Sequence, residues 1–125
     1  MSLASRRKEK VEHLIRREVE DIIRREVSDP RIGFFTITHV KITGDLKLAR
    51  ISVSFLGTDL EKKRSFEGLQ SASRYIHHRL AGRLVLRFCP QLEFILDQRP
   101  EYRIEDLLSQ IKKERQDEGN QGKTD

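Results

Sequence analysis

The chain has no tryptophan, two tyrosines, three prolines and one cysteine among its 125 residues. A single thiol, Cys89, excludes an internal disulfide and fits a reducing compartment. It lies in an apolar run with Leu86 and Phe88, so it reads as a small core residue rather than a nucleophile. No uninterrupted apolar run approaches the roughly 20 residues needed to cross a bilayer. The opening "MSLASRRKEK" lacks the apolar centre of a secretory signal, and Glu9 and Glu12 speak against a transit peptide. A cytoplasmic protein with no membrane partner is expected.

The sequence is equally short of catalytic signatures. Its four histidines, His13, His39, His77 and His78, show no His-x-x-x-His spacing, and Cys-x-x-Cys is impossible with one cysteine, so no metal site is supported. Glu20 and Asp21 are adjacent on a charged helix and read as a solvated face. No Walker-type or dinucleotide loop is present, and "GNQG" (119–122) is a chance Gly-x-x-Gly in a polar tail. Neither an enzyme nor a cofactor is expected.

What the sequence does contain is charge. Charged residues make up 36% of the chain and the formal net charge is +5. The excess is central: twelve bases and six acids over 31–100, against eight and seven over 1–30 and five and seven over 101–125. Within "LQSASRYIHHRLAGRLVLRF" (69–88) stand four arginines, two histidines and no carboxylate. Phosphate recognition needs fixed cations with few competing anions, because each neutralised phosphate releases counterions. Arg74, His78, Arg79 and Arg83 are therefore the central candidate contacts to nucleic acid. Lys62, Lys63, Arg31 and the N-terminal Arg6, Arg7, Lys8 and Lys10 are secondary, and Arg64 and Arg87 belong to the same basic stretch. Basic residues at a helix N-terminus gain nothing from the helix dipole, which hints at an outside partner. With most phenylalanines fitting the core and Tyr75 the one helical aromatic facing outward, recognition by backbone and shape suits folded RNA. A solvated basic helix without a partner, a DNA-binding module and a protein-interaction module using the apolar sheet face remain open alternatives.

Hydrophobic spacing orders the elements. Val11, Leu14, Ile15, Val19, Ile22 and Ile23 form one stripe of a helix over 5–27, with Ser5 as N-cap and Glu12–Arg16 and Glu20–Arg24 as i,i+4 pairs. "SDPR" (28–31) stops it. β-branched and aromatic residues then predict a hairpin with strands over 34–43 and 47–55 around Thr43-Gly44-Asp45. Ala49, Ile51, Val53 and Phe55 should face the core, as should Phe34, Val40 and Ile42, with Phe35 and Ile37 on the opposite side. Thr58 or Asp59 is placed to cap a second helix over 60–82, whose inner stripe is Phe66, Leu69, Ala72, Ser73, Ile76 and Leu80 and whose end is Gly82. A third strand over 83–97, bent at Pro90, completes an α+β domain over 1–100. Strands two and three should run parallel through a right-handed crossover, with both helices on one face and the other face open or partly covered by the tail. Ile104, Leu107, Leu108 and Ile111 predict one short amphipathic helix in a C-terminal tail over 101–125, disordered beyond it.

"SDPRIGFFTITHVKITGDLKLARISVSF" (28–55), "LRFCPQLEFILD" (86–97) and "IEDLLSQI" (104–111) together resemble the ribosome-binding factor A family of bacteria and organelles, over about residues 5–111. That resemblance implies a type II KH-like domain in the helix-strand-strand-helix-strand order. It also implies a non-catalytic role in late maturation of the small ribosomal subunit. The partners it implies are that subunit and its ribosomal RNA, with a subunit-maturation GTPase linked to release and a requirement for growth in the cold. A monomer is expected. In this family an interrupted helix marked Ala-x-Gly replaces the nucleic-acid-clamping loop of KH domains. The matching positions here are Ala72-Ser73-Arg74. Arginine in place of glycine offers a phosphate contact instead of a bend, and the continuous inner stripe suits only a mild kink, at Ser73.

Overall fold

The computed structural model describes residues 3–84 and 89–98. The order is α1 (Leu3–Glu26), β1 (Phe35–Ile42), β2 (Leu48–Phe55), α2 (Asp59–Ser71), α3 (Ser73–Arg83) and β3 (Gln91–Leu96). The strands form one sheet in the order β1-β2-β3, antiparallel at the first junction and parallel at the second. This is the expected α+β arrangement, except that the second helix is two helices. The predicted tail helix, the disorder beyond it, and Arg87 lie outside the described residues. Of the third strand expected over 83–97, residues 85–88 lie outside the described residues. Arg83 still belongs to α3, which runs one residue past Gly82, and β3 starts at Gln91.

α1 forms because its apolar residues recur at three and four, and Val11, Ile15, Val19, Ile22 and Ile23 are all buried. They meet Ile37, Ile42, Ala49, Ile51, Val53 and Phe55 of the sheet and Leu69, Ile76 and Leu80 of α2 and α3 in one core. Glu12 does not pair with Arg16; it accepts the backbone N–H of Ile42 at 2.9 Å and so ties α1 to the end of β1. The ion pairs along α1 include Arg16–Glu20, Arg17–Glu18 and Asp21–Arg25. α2 opens with a reciprocal capping box. The Glu61 N–H donates to Thr58 Oγ1 at 3.1 Å, and the Thr58 N–H donates to Glu61 Oε1 at 3.0 Å.

β1 departs from the expected phase. Phe35 and Ile37 are buried, while Phe34, expected inside, is 77% exposed. Further along, Ile42 is buried and Val40 packs against the core. The inward side thus changes from odd to even positions within one strand. A register shift between Ile37 and His39 explains it, because one extra residue, Thr38, is inserted opposite β2. A bulge of this kind reverses which face each later side chain takes. Strict alternation read from the even positions puts Phe34 inside; the bulge puts it out.

Leu46 takes the left-handed conformation in the hairpin turn (φ 61°). The turn is held by side chains: Thr43 Oγ1 donates to Asp45 Oδ1 at 2.6 Å and accepts the Leu48 N–H at 3.1 Å.

The phase reversal has a direct consequence for stability. Ile37→Ala should cost about 2–5 kcal/mol, whereas Phe34→Ala should stay within about 0.5 kcal/mol. Urea denaturation of the two variants checks both, and similar losses would place the bulge wrongly.

Candidate nucleic-acid interface

The basic stretch is split by a break at Ala72. Its φ of −87° and ψ of −2° close one helix and open the next. The Ala72 N–H is shared between the carbonyls of Gly68 and Leu69, both at 3.1 Å, and the Ala72 carbonyl then accepts the Ile76 N–H at 2.9 Å. These dihedrals lie in the bridge region, open to any residue with negative φ. The interruption therefore needs no glycine. It falls at Ala72, one residue before Ser73, and divides the stretch into α2 and α3 while i→i−4 hydrogen bonds continue on both sides of it. Leu69 before it and Ile76 and Leu80 after it are buried, so both helices keep the inner stripe.

Directly after the break, Arg74 and His78 are exposed on the outer side of α3. The described residues give neither an ion pair. Lys63 and Arg64 are exposed on α2, again without a carboxylate partner among the described residues. Lys62 is different: it is buried, at the edge of a cleft with Ser54, Phe55 and Asp97. On α1, Arg6, Arg7 and Lys10 are exposed and Lys8 is half-buried.

Arg79 and Arg83 face another way. Arg83 Nη1 donates to Glu18 Oε2 at 2.9 Å and to Asp21 Oδ2 at 2.8 Å, and its Nη2 donates to Glu26 Oε2 at 2.5 Å. Arg79 Nε donates to the other oxygen of Glu26 at 2.6 Å. Three carboxylates of α1 thus hold two arginines of α3. The bonds to Asp21 and then Glu18 raise the Arg83 pKa further, and the Arg83 hydrogen bond, ahead of the nearby Arg25, holds the Asp21 carboxyl below its usual range. Basic residues in the last turn of α3 also oppose the negative end of its dipole. A phosphate approaching Arg83 has to compete with three carboxylates. The stretch lacks acids in sequence, yet α1 supplies them in space, and no local spacing carries that signal.

Arg31 is also engaged. Its backbone N–H and its guanidinium both donate to Asp29, the closest bond being Nη2 to Oδ2 at 2.7 Å. This fork holds the loop after α1 and raises the Arg31 pKa while lowering that of Asp29. Ser65 of α2 clasps the same loop, accepting the Gly33 N–H at 3.1 Å and donating to the Arg31 carbonyl at 3.0 Å. Gly68 lets the loop approach: a Cβ there would stand 3.0 Å from the Ile32 side chain.

The sheet face away from the helices carries His39, Lys41, Arg50, Ser52 and Ile95 around a depression of about 560 Å³. Most of its lining residues carry polar groups, yet more of its surface is apolar than polar, and Ile95 is its exposed aliphatic. Cys89 is half-buried, which pushes its thiol pKa up and away from nucleophilic use. Among the described residues no cluster of three or more His, Cys, Asp or Glu is placed to hold a metal, and no helix is long and apolar enough to cross a membrane.

Comparison with known proteins gives a consistent picture. The family model for ribosome-binding factor A matches residues 7–108. The chain is 44% identical over 108 residues to a ribosome-binding factor A of Trichlorobacter lovleyi, covering 85% of this chain and 88% of that protein. The solution structure of a Thermotoga maritima protein described as a putative ribosome binding factor A superposes with a TM-score of 0.64 at 31% identity, covering 71% of this chain and 85% of that one. Coordinates of the Thermus thermophilus ribosome binding factor A, fitted into a cryo-electron microscopy map of a 30S complex, share the fold at a TM-score of 0.57 and 24% identity, covering 67% and 88%.

The carboxylate cluster predicts a pH dependence. A depressed Asp21 pKa contributes stability that is complete above the unfolded value of about 3.9 and is lost as pH falls through the folded value. The melting temperature should therefore drop on acidification below about pH 4. Arg83→Gln should melt several degrees lower near neutrality and show a shallower acid dependence. Identical melting curves for the two proteins across this range would remove the cluster from the account.

Proposed function

This chain belongs to the ribosome-binding factor A family, and on that premise we propose that it binds the small ribosomal subunit during late maturation and contacts its ribosomal RNA. The observation that carries this reading is the outward face of α2 and α3, where Lys63, Arg64, Arg74 and His78 stand exposed with no carboxylate engaging them among the described residues. The Thermus relative's placement in a 30S complex supports the choice of partner. Arg6, Arg7, Lys8 and Lys10 on the first turns of α1 extend the basic surface. Arg79 and Arg83 act from behind, by holding α3 on α1 so that Arg74 and His78 project. Lys62 and Arg31 support the same scaffold.

The mechanism is a population shift without bond-making. A protein that binds one conformer of an RNA more tightly raises the share of that conformer by the ratio of its affinities. No cofactor enters. Release requires a competing event on the particle, and a subunit-maturation GTPase supplies a driven one. We assign the protein to the cytoplasm as a monomer, with its greatest effect in the cold, where misfolded RNA conformers persist longest.

Arg74→Glu tests the reading. It should weaken co-sedimentation with small subunits by about ten-fold, and Arg74→Ala should lower the salt dependence of binding by about one counterion. Both variants should melt as the parent does, because Arg74 has no intramolecular partner among the described residues. Unchanged co-sedimentation contradicts the proposal. Gel shifts at matched salt separate the DNA-binding alternative, which requires duplex DNA to compete with ribosomal RNA.

A further inference from the structure

Phe34 is the most exposed of the large hydrophobic residues described, at 77%. Its backbone is nevertheless fixed on both sides. The preceding N–H, of Gly33, donates to Ser65 Oγ at 3.1 Å, and its own carbonyl accepts the Leu56 N–H at 3.0 Å. Ser65 is buried and the close approach at Gly68 packs the loop on α2. The fold therefore holds an aromatic ring in solvent on a rigid support. Beside it, Ile23, Arg24, Val27, Asp29, Ile32 and Phe35 line an open crevice of about 390 Å³ between the last turn of α1 and the loop.

Arginines stand near this ring, with Asp29 the carboxylate that lines the same crevice. Arg24 is exposed, and its guanidinium lies over the Phe35 ring at 5.4 Å from the centroid. Arg31 neutralises Asp29 through Nε and Nη2, leaving Nη1 without a bond among the described residues. Arg64 is exposed one turn before Gly68 on α2. An exposed aromatic face with guanidiniums at its rim suits a base flanked by phosphates: every base has a face to stack, and phosphates seek the cations. An apolar protein segment would use the crevice but leave Arg24 and Arg64 without an anion.

We propose that Phe34 is a stacking platform for an unpaired base of single-stranded RNA, with the crevice beside it receiving the edge of that base and Arg24 a flanking phosphate. This rests on the RNA-binding reading above and adds to it a second site, on the α1–β1 loop rather than on α3.

The test uses the full chain and a short unstructured RNA carrying one 5-iodouridine. Irradiation should attach it to the tryptic peptide Ile32–Lys41, with fragmentation assigning the link to Phe34. Phe34→Ala should weaken binding of this RNA about ten-fold, Phe34→Leu nearly as much, and Phe34→Tyr by no more than about two-fold. All three should melt like the parent. Parent-like binding by Phe34→Leu would make the contact merely apolar and overturn the proposal. So would unchanged binding by Phe34→Ala while Arg74→Glu still weakens it, an outcome that leaves the RNA-binding reading standing. Failure of the parent itself to bind any RNA overturns both.

Discussion

One guanidinium, that of Arg83, organises the helical layer. It collects Glu18, Asp21 and Glu26 from two turns of α1 onto the last turn of α3. Isolated surface ion pairs contribute little, but here one fork meets three acceptors and Glu26 also receives Arg79, so the geometry of two helices is over-determined. Apolar packing alone fixes that two helices lie on the sheet; it leaves their relative rotation soft. The carboxylate cluster sets the rotation, and with it the direction in which the rest of α3 points.

The break at Ala72 then acquires meaning. A helix that ran straight from Asp59 to Arg83 would have to satisfy the loop after α1, the sheet and the Glu18–Glu26 cluster along one axis. Interrupting it lets α2 seat Ser65 and Gly68 on the loop while α3 seats Arg83 on α1. Residues just past the interruption are free of both obligations, and Arg74 is among them. Cations on this surface thus divide by task. Arg79, Arg83 and Arg31 are matched to carboxylates within the fold, and Arg74, Lys63 and Arg64 remain for an external anion. Net charge sums the two groups and cannot separate them.

Much of this was legible from spacing. The helical stripe of α1, the inward set Ala49, Ile51, Val53 and Phe55, the capping residue Thr58 and the parallel crossover all follow from local periodicity, and each depends on neighbours close in sequence. The misreadings share a different cause. Alternation puts Phe34 inside because it assumes an unbroken ladder, and nothing local marks Thr38 as the extra residue. Phe35 and Ile37 were already apolar on the supposed outer side, and that conflict was the available signal of a bulge. Arg83 looked unpaired because its partners lie 57 to 65 positions away. Glycine seemed necessary for a break because a bend suggests positive φ, whereas Ala72 breaks the helix at negative φ. The family resemblance supplied the interrupted helix that spacing alone argued against.

The division of the arginines by task is the central claim, and side-chain nuclear magnetic resonance of nitrogen-labelled arginine tests it most directly. In the free protein, the Arg83 guanidinium should rotate slowly and exchange its protons slowly, while that of Arg74 should do both fast. On titration with a fragment of small-subunit ribosomal RNA, the Arg74 signal should shift and broaden and that of Arg83 should stay in place. A shift at Arg83 matching that at Arg74, with loss of its contact to α1, would contradict the account.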